Sequence, residues 1–323
     1  MGFRVTYKCI TSICRDVMRP VLIVFALFIF SGISHAGQNV VIYPVYHNDT
    51  DRVIQEILDG LHDQLGGVTG IAVDTELDNN VIRNRVASLA DEDVVIALTG
   101  DMGVFARSSG FKGRLIEGVS GGGDNATPAV RIGIQPSPEK YIRTLKKIHS
   151  GVDRLFYFHS DAQSDMELIG MRSIAKTLGV EVEVIPVDNI NDAMNKINDV
   201  FKQSNANTDA VWIPYHFLSM ANNIMLKFVL SESWRRSLIV YTDSLDAVVR
   251  GLLFTLTPDY YAYGKYLGNY AKGMNTGREF PEPEDIPYFD DAYLMINQRF
   301  SVHIGLNINR LLFGKYKIVV PAK

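Results

Sequence analysis

Residues 242–273 read TDSLDAVVRGLLFTLTPDYYAYGKYLGNYAKG, and this stretch predicts how the rest of the chain is arranged. It begins with polar residues directly after an apolar, strand-like run at Leu238–Tyr241. A second apolar run follows at Gly251–Leu256, and a helix opens at Asp259. A polar turn, a crossing strand and a new helix in so short a stretch are typical of a chain that passes between the lobes of a hinged protein.

Strand and helix signals alternate along the chain before this stretch. Continuous apolar runs such as NVVIYPVY are typical of strands buried on both faces, and the segments between them carry apolar residues at helical spacing. Strands separated by helices of ten or more residues form right-handed βαβ units and parallel sheets. The pattern therefore predicts an α/β fold with two sets of parallel strands, divided by the loop-forming residues Gly121–Pro128.

Several boundaries follow from the same pattern. The second set of strands is predicted to open with VRIGIQ, which begins at Val130. One helix is predicted over Phe217–Leu230. The C-terminal segment holds four of the twelve prolines and is predicted to return with a strand near Ala292–Asn297 and a short helix near His303–Phe313.

The first 36 residues are predicted to be a cleaved signal peptide. Basic residues precede an unbroken apolar run, Val21–Phe30, and the small residues Ser34 and Ala36 follow at the spacing of a leader-peptidase site. A membrane anchor is the alternative, but spanning a bilayer takes roughly 20 apolar residues. Met18 is an alternative start that gives a more compact leader.

The composition of the remaining chain excludes several classes of protein. Both cysteines, Cys9 and Cys14, lie in the predicted leader, so the mature chain uses neither disulfides nor thiol chemistry. Removal of the leader leaves 28 basic and 35 acidic residues, a net charge of −7. A mildly acidic chain has no electrostatic footprint for nucleic acid or anionic lipid, and the mature length predicts two domains.

The loops after the strands supply the candidate binding residues, because ligands of open α/β sheets sit beyond the carboxyl ends of the strands. Those loops contain Tyr46, His47, Thr99, Gly100, Asp101, Ser120, His159, Ser160, Asp161, Tyr215, His216, Thr242, Asp243 and Ser244. Each Ser, Thr or Asp alternatively caps the helix that follows it. Helix N-termini at the same edge carry free N–H groups that suit a carboxylate or another anion.

No catalytic, metal or cofactor motif is apparent. The glycine-rich run Gly118–Asn125 is not GxGxxG and follows the fourth strand, and there is neither a GxSxG elbow nor a Walker sequence. The histidines lack metal-ligand spacing. His159, Ser160 and Asp161 are adjacent in one loop and cannot readily point at one another. The sequence therefore predicts no catalytic residue, metal or cofactor.

Aromatic side chains open the helix at Asp259. Tyr260, Tyr263, Leu267 and Tyr270 share one helix face, which predicts packing against a sheet for the later members. Tyr260 and Tyr261, in the first turn, are predicted to face the ligand, where their rings would stack on an apolar or aromatic solute.

Residues 242–264 resemble the signature segment of the ABC-transporter substrate-binding family that includes binders of tryptophan and other aromatic amino acids. The residues that carry the resemblance are Asp243, Ser244, Asp246, Val248, Arg250, Gly251, Asp259, Tyr260, Tyr261 and Gly264. Four other segments, which begin at Asp93, Arg154, Asp209 and Tyr293, resemble further parts of the same family, so the likeness covers nearly all of the mature chain. The ligand loops depart most from the family pattern, at Gly100–Asp101, His159–Asp165 and Tyr215–His216.

The resemblance implies the type I periplasmic-binding-protein fold, with two Rossmann-like lobes around a ligand cleft and a hinge of three crossovers. Lobe 1 would comprise residues 37–130 and 255–279, and lobe 2 residues 131–254 and 280–323. Lobe closure would bind a small organic solute, such as an amino acid or an aromatic compound. A monomer in the periplasm would deliver that solute to an ABC permease of the inner membrane.

Eight residues are predicted to bind the solute: Tyr46, Thr99, Ser120, Ser160, Ser164, Tyr215, Asp243 and Tyr260. Ser164 is included because the resemblance implies a ligand-contacting serine there. Asp243 would hold an amine or hydroxyl of the solute, and the helix N-termini would hold a carboxylate. Two other functions stay open, namely a sensor that signals to a membrane partner and an enzyme that uses the cleft.

Overall fold

A computed structural model describes residues 37–74, 79–119, 129–159, 165–277, 288–306, 308 and 314–319. The strands are β1 Asn39–Val45, β2 Thr69–Asp74, β3 Val94–Ala97, β4 Arg114–Val119, β5 Val130–Gly133, β6 Arg154–His159, β7 Glu181–Pro186, β8 Asp209–Trp212, β9 Ile239–Tyr241, β10 Phe254–Pro258, β11 Ala292–Asn297 and β12 Tyr316–Val319. The helices are α1 Thr50–Leu65, α2 Asn80–Ala87, α3 Gly100–Ser108, α4 Pro138–Ile148, α5 Asp165–Thr177, α6 Ile190–Gln203, α7 Tyr215–Leu218, α8 Met220–Arg236, α9 Leu245–Arg250, α10 Tyr260–Asn275 and α11 Gln298–His303.

The first lobe is built on a parallel five-stranded sheet in the order β2-β1-β3-β4-β5. Its central strands β1 and β3 are mostly apolar because helices cover both faces of the sheet. Val41 and Ile96 pack with α1 and α10 on one face. Val40 and Val95, their chain neighbours, pack with α3 on the other face.

The second lobe is built on a parallel four-stranded sheet in the order β7-β6-β8-β9. Alternate residues of β6 again pack on opposite faces, with Tyr157 in one buried cluster and Phe158 in the other. A three-stranded sheet, β10-β11-β12, continues this lobe. The N–H of Leu253, just before β10, donates to the carbonyl of Val240 in β9 at 3.1 Å. Leu256 and Leu294, from β10 and β11, complete the core beside Tyr157.

The chain passes between the two lobes three times. It leaves the first sheet after β5 and enters α4, and it returns from β10 directly into α10. It passes again to the second lobe between α10 and β11. Asp259 starts α10 because its side chain accepts the N–H of Ala262 at 3.1 Å, which satisfies a donor that the helix leaves unpaired.

Helix α10 joins the first lobe through an unusually close contact with α1. A Cβ atom on Gly264 would lie 2.0 Å from the carbonyl oxygen of Ile57, and one on Gly60 would lie 2.0 Å from that of Tyr261. Only glycine permits the two helix backbones to approach in this way. This contact sets the position of α10, and with it the position of Asp259 and Tyr260 at its start.

The structure confirms the α/β class and the two lobes with parallel sheets, and it corrects three elements. The strand at Val130 was predicted to open the second set, but β5 pairs with β4 and forms the edge of the first sheet. The predicted helix Phe217–Leu230 is divided into α7 and α8 at Ser219.

The third correction concerns the C-terminal segment. The strand Ala292–Asn297 is confirmed as β11. A helix begins at Gln298 rather than near His303, because the Asn297 side chain accepts the N–H of Phe300 at 3.0 Å, and this helix ends at His303. Residues 307 and 309–313 of the predicted helix His303–Phe313 lie outside the described residues. The lobe boundaries stay a prediction, and the predicted signal peptide lies outside the described residues.

Candidate functional site

The carboxyl ends of the strands in the first lobe form one edge, which we call the first edge. Tyr46 follows β1 and Thr99 follows β3, as predicted. The backbone N–H of Tyr46 donates to Asp51 at 2.9 Å, and burial together with the carboxylates of Asp101 and Asp51 raises the pKa of the Tyr46 phenol. Tyr46 therefore stays a neutral hydroxyl that is able both to donate and to accept hydrogen bonds.

Thr99 holds the start of α3. Its hydroxyl accepts the N–H of Met102 at 3.4 Å, so the residue caps the helix. The hydroxyl proton stays available to another acceptor, and α3 points its N-terminus at the first edge. The third residue predicted for this edge, Ser120, lies outside the described residues.

A histidine and a carboxylate were absent from the predicted ligand set but border the same edge. His47 adopts a left-handed backbone with φ 55°, which is uncommon for a residue other than glycine. Its Nε2 lies 2.9 Å from the Asp74 carboxylate at the end of β2. The position of Asp74 after a parallel strand is the signal that locates it, whereas the conformation of His47 has no sequence signature.

The second edge is formed by the carboxyl ends of β6 to β9. Asp243 joins two loops there, because its Oδ1 accepts the backbone N–H of Tyr215 at 2.6 Å and the hydroxyl of Thr242 at 3.1 Å. Asp243 is exposed, and no hydrogen bond between described residues uses its Oδ2. One carboxylate oxygen thus holds the loops after β8 and β9 together.

His216 lies beside this carboxylate. Its ring packs against Phe217 in a tilted arrangement, with 4.0 Å between centroids and 42° between ring planes. Burial lowers the pKa of the imidazole, and the charge of Asp243 opposes that effect. The neutral ring provides one donor and one acceptor at the second edge. Ser160 and Ser164, the other residues predicted for this edge, lie outside the described residues.

The two tyrosines that begin α10 point in different directions. Tyr260 is half-buried against the core of the first lobe, and burial together with Glu56 raises the pKa of its phenol. The Tyr261 hydroxyl donates to Asp63 of α1 at 2.8 Å, and Lys265 binds the same carboxylate. The prediction that Tyr261 faces the ligand is therefore wrong, because the α1–α10 contact turns its ring onto the outer face of the lobe.

A layer of aromatic side chains from β6, β8, β9, β10 and α4 lies next to the second edge. Tyr157 of β6, Trp212 of β8 and Tyr241 of β9 are neighbours in register, and Trp212 and Tyr241 end their strands. Trp212 and Tyr241 stack with centroids 5.4 Å apart, and Tyr141 of α4 lies 4.8 Å from Trp212. Phe254 of β10 stacks on Tyr241 at 4.5 Å. The rings of this layer pack against one another beside the second edge, and one aromatic residue in matching register on each strand is the sequence signal for it.

Two polar atoms in the layer have no hydrogen-bond partner among the described residues. They are the indole Nε1 of Trp212 and the hydroxyl of Tyr241, and both are buried. Each unpaired group costs about 1–3 kcal/mol, so the layer is held by ring packing rather than by hydrogen bonds.

The described residues contain no group of three or more His, Cys, Asp or Glu side chains arranged to hold a metal ion. Within the same ranges, no helix has both the length and the apolar character needed to cross a membrane. The arrangement that the structure does provide is two edges of polar, hydrogen-bonding side chains. The crossover after β5 leaves the first sheet at its carboxyl edge, and the crossover after β10 leaves the three-stranded sheet of the second lobe.

No protein-family model and no curated protein sequence matches the chain. Several solved structures, however, align with the chain. A ligand-free, open substrate-binding protein with adhesive properties from Clostridium difficile aligns with a TM-score of 0.63 at 12% identity, over 87% of this chain and 99% of that one.

Two further structures align over the same share of this chain. One is an ABC domain from Streptococcus pneumoniae in complex with L-Trp, with a TM-score of 0.53 at 16% identity over 100% of that chain. The other is a conserved domain protein from Vibrio cholerae, with a TM-score of 0.52 at 14% identity over 99% of that chain. At these identities the likeness concerns the fold, and the fold of this chain is that of the type I periplasmic binding proteins.

Proposed function

We propose that the protein binds a small organic solute between its two edges and delivers it to an ABC permease. One observation carries this proposal: both parallel sheets end in polar side chains at their carboxyl ends. Ligands of open α/β sheets bind at such ends. Rotation about the crossovers would close the lobes over the solute, as in hinged binding proteins.

The side chains support a solute with mixed polar character, such as an amino acid or an aromatic compound. Oδ2 of Asp243 would accept a hydrogen bond from an amine or hydroxyl of the solute. The N-terminus of α3 would hold a carboxylate or another acceptor. Tyr46 and Tyr260, both half-buried, would offer hydroxyls and ring faces.

Mass spectrometry of the protein under native conditions, and of the small molecules released on denaturation, tests whether it binds a solute. A screen of amino acids and aromatic compounds by thermal unfolding follows. A solute present at one hundred times its Kd stabilises a protein by about 2.7 kcal/mol, and closure reduces the radius of gyration in X-ray scattering. If no compound co-purifies or stabilises the protein, the proposal is wrong. A solute recovered chemically altered would instead identify an enzyme.

Asp243→Asn is expected to weaken solute binding at least tenfold, or about 1.4 kcal/mol, while the fold stays intact. Asparagine keeps an oxygen that accepts the Tyr215 N–H, so the two loops stay joined. It removes the charge that would attract an amine. Titration calorimetry with the identified solute measures the change.

Asp246→Asn is the matched control, because it removes the same charge three residues away, where Asp246 forms an exposed ion pair with Arg250. Surface pairs of this kind contribute little, so binding by this variant should equal that of the wild type. Equal binding by Asp243→Asn would refute the anchoring role of Asp243.

The proposed permease contact involves exposed apolar residues near the two edges. Val104 is the fifth residue of α3 in the first lobe, and Ile169 is the fifth residue of α5 in the second. Their exposures are 53% and 60%. Each lies in the first turns of a helix that starts at its edge. The predicted signal peptide would bring this surface to the periplasm.

Val104→Glu and Ile169→Glu are expected to reduce solute uptake by cells several-fold without a change in solute affinity. A charge placed in an apolar interface is costly to bury. Val302→Glu is the control, because Val302 is 69% exposed on α11, after the end of β11 that lies away from the crossovers. Uptake at the wild-type rate by both edge variants would exclude this surface. Normal binding with no uptake in any strain would favour a sensor.

A further inference from the structure

Lys315 lies where two of the three crossovers meet. Its ammonium group is 2.7 Å from Asp259 Oδ2 and 2.8 Å from Asp291 Oδ1. Asp259 is the cap of α10 in the first lobe, Asp291 immediately precedes β11, and Lys315 immediately precedes β12. A single cation therefore binds one carboxylate from the β10–α10 crossover and one from the α10–β11 crossover.

Hydrogen bonds join the crossovers around this cation. The N–H of Asp259 donates to the carbonyl of Asp291 at 2.9 Å. Ser137, in the β5–α4 crossover, donates its N–H to one oxygen of Asp290 at 2.7 Å and its hydroxyl to the other at 3.0 Å. All three crossovers are thus connected to one another through residues 290 and 291.

The charges at this point are unbalanced without Lys315. Asp259, Asp290 and Asp291 bring three carboxylates together, and the side chain of Asp259 is only 15% exposed. Without the lysine, the carboxylates of Asp259 and Asp291 would repel each other, although a backbone hydrogen bond holds the two residues together. Burial lowers the pKa of the Lys315 ammonium, but the hydrogen bonds and charges of Asp259 and Asp291 outweigh it and raise the pKa overall. The lysine therefore stays charged throughout the physiological pH range.

Aromatic packing positions the same side chain. The Lys315 ammonium nitrogen lies 5.5 Å from the centroid of the Tyr293 ring, and the Lys317 ammonium nitrogen lies 4.4 Å from the same centroid. Lys317 also contacts the Tyr293 ring. Among the described residues, it forms no ion pair with Asp259 or Asp291. Both lysines lie near the Tyr293 ring, but Lys315 alone of the two pairs with the crossover carboxylates among the described residues.

We propose that Lys315 is a positioning residue that clasps the hinge and restricts how far the lobes rotate when no solute is bound. Rotation of the first lobe moves Asp259 with α10, whereas Asp291 and Lys315 belong to the second lobe. Rotation must therefore stretch the Lys315–Asp259 pair. The clasp weakens with salt, because the Debye length falls from about 10 Å at 0.1 M to about 3 Å at 1 M. The consequence for solute affinity rests on the proposed function, but the restriction of the lobes does not.

Electron-spin distance measurements on solute-free protein test the clasp. Cys9 and Cys14 are the chain's two cysteines, so a Cys9→Ser, Cys14→Ser background carries labels only at introduced sites. Arg52→Cys in α1 and Lys202→Cys in α6 place one label on each lobe, at exposed positions. Lys315→Met is expected to raise the population of distances outside the main peak about two- to fivefold.

Three comparisons make the result decisive. Lys315→Gln also removes the charge that pairs with Asp259, so it should have the same effect as Lys315→Met, and its polar side chain makes it the alternative if the methionine variant folds poorly. Lys317→Met should match the wild type. Raising the salt should broaden the wild-type distribution and leave that of Lys315→Met unchanged. Unchanged distributions in both clasp variants would overturn the proposal, whatever the solute screen finds, because no solute is present in this measurement.

Discussion

Gly264→Ala is expected to lower the free energy of unfolding by about 3 kcal/mol or to prevent folding. The added Cβ would lie 2.0 Å from the Ile57 carbonyl oxygen and 3.0 Å from the Leu61 nitrogen. Both atoms belong to the backbone of α1, so no side chain is able to move aside. Overpacking of a tight core costs about 1–3 kcal/mol and occasionally more, and here a whole helix must shift. The gain in helix propensity, about 1 kcal/mol, offsets only part of this cost.

Gly170→Ala is the matched control. Gly170 lies inside α5, and apart from its chain neighbours and its own helix backbone, no atom of the described residues would lie within 4 Å of a Cβ there. The same substitution should therefore be neutral or stabilising by about 0.5–1 kcal/mol. Urea unfolding followed by circular dichroism compares the two variants directly. Equal stability of Gly264→Ala and Gly170→Ala would show that α1 and α10 do not need their close approach.

The consequence of this contact extends to the hinge. Helix α10 begins with Asp259 and Tyr260, so a displaced α10 also displaces the Lys315 pair and the tyrosine predicted to bind the solute. Gly60→Ala, which meets the Tyr261 carbonyl at 2.0 Å, should have the same effect from the other helix.

Arg131→Met is expected to cost about 3–5 kcal/mol, the usual loss when one partner of a buried ion pair is removed. Arg131 and Glu117 are neighbours in register on β5 and β4. The Arg131 Nε lies 3.3 Å from the Glu117 Oε2, and the two side chains are only 3% and 4% exposed. The other oxygen of Glu117 has no hydrogen-bond partner among the described residues. The variant would leave a buried carboxylate with weaker compensation.

The cost of Arg131→Met should increase with pH. Burial raises the pKa of the Glu117 carboxyl, while Arg131 and Arg107 oppose that effect, so loss of Arg131 raises the pKa further. A carboxyl whose pKa is raised in the folded state stabilises the protein at pH values below its pKa in the unfolded chain, which is near 4.5. That contribution is lost as the pH rises through the folded pKa. Urea unfolding at several pH values above 4.5 should therefore show a growing difference from the wild type.

Two double variants separate charge from packing. Glu117→Gln with Arg131→Met carries no titrating group, so its deficit should not change with pH over this range. Glu117→Leu with Arg131→Met replaces the pair by apolar side chains and should recover much of the lost stability. An Arg131→Met variant as stable as the wild type at pH 8 would mean that the pair contributes nothing.

Local sequence patterns predicted where some residues of the candidate site lie, but not which partners they bind. Thr99 and Asp243 were predicted from their position after a strand, and both lie at the carboxyl edges. Their hydrogen bonds differ, because Thr99 caps its own helix while Asp243 binds the backbone of Tyr215, 28 residues earlier. Tyr261 was misplaced because its direction depends on α1, which lies far from it in sequence.

The sequence by itself determined the α/β class, the order of most strands and helices, and the loops in which binding residues lie. These properties follow from the spacing of apolar residues and from helix caps, which act over a few neighbouring residues. Only the tertiary structure decided which sheet β5 joins, how closely α1 and α10 approach, and that Lys315 binds Asp259 across 56 residues. Contacts between residues far apart in the sequence depend on packing in three dimensions, so the pattern of a few neighbouring residues does not predict them.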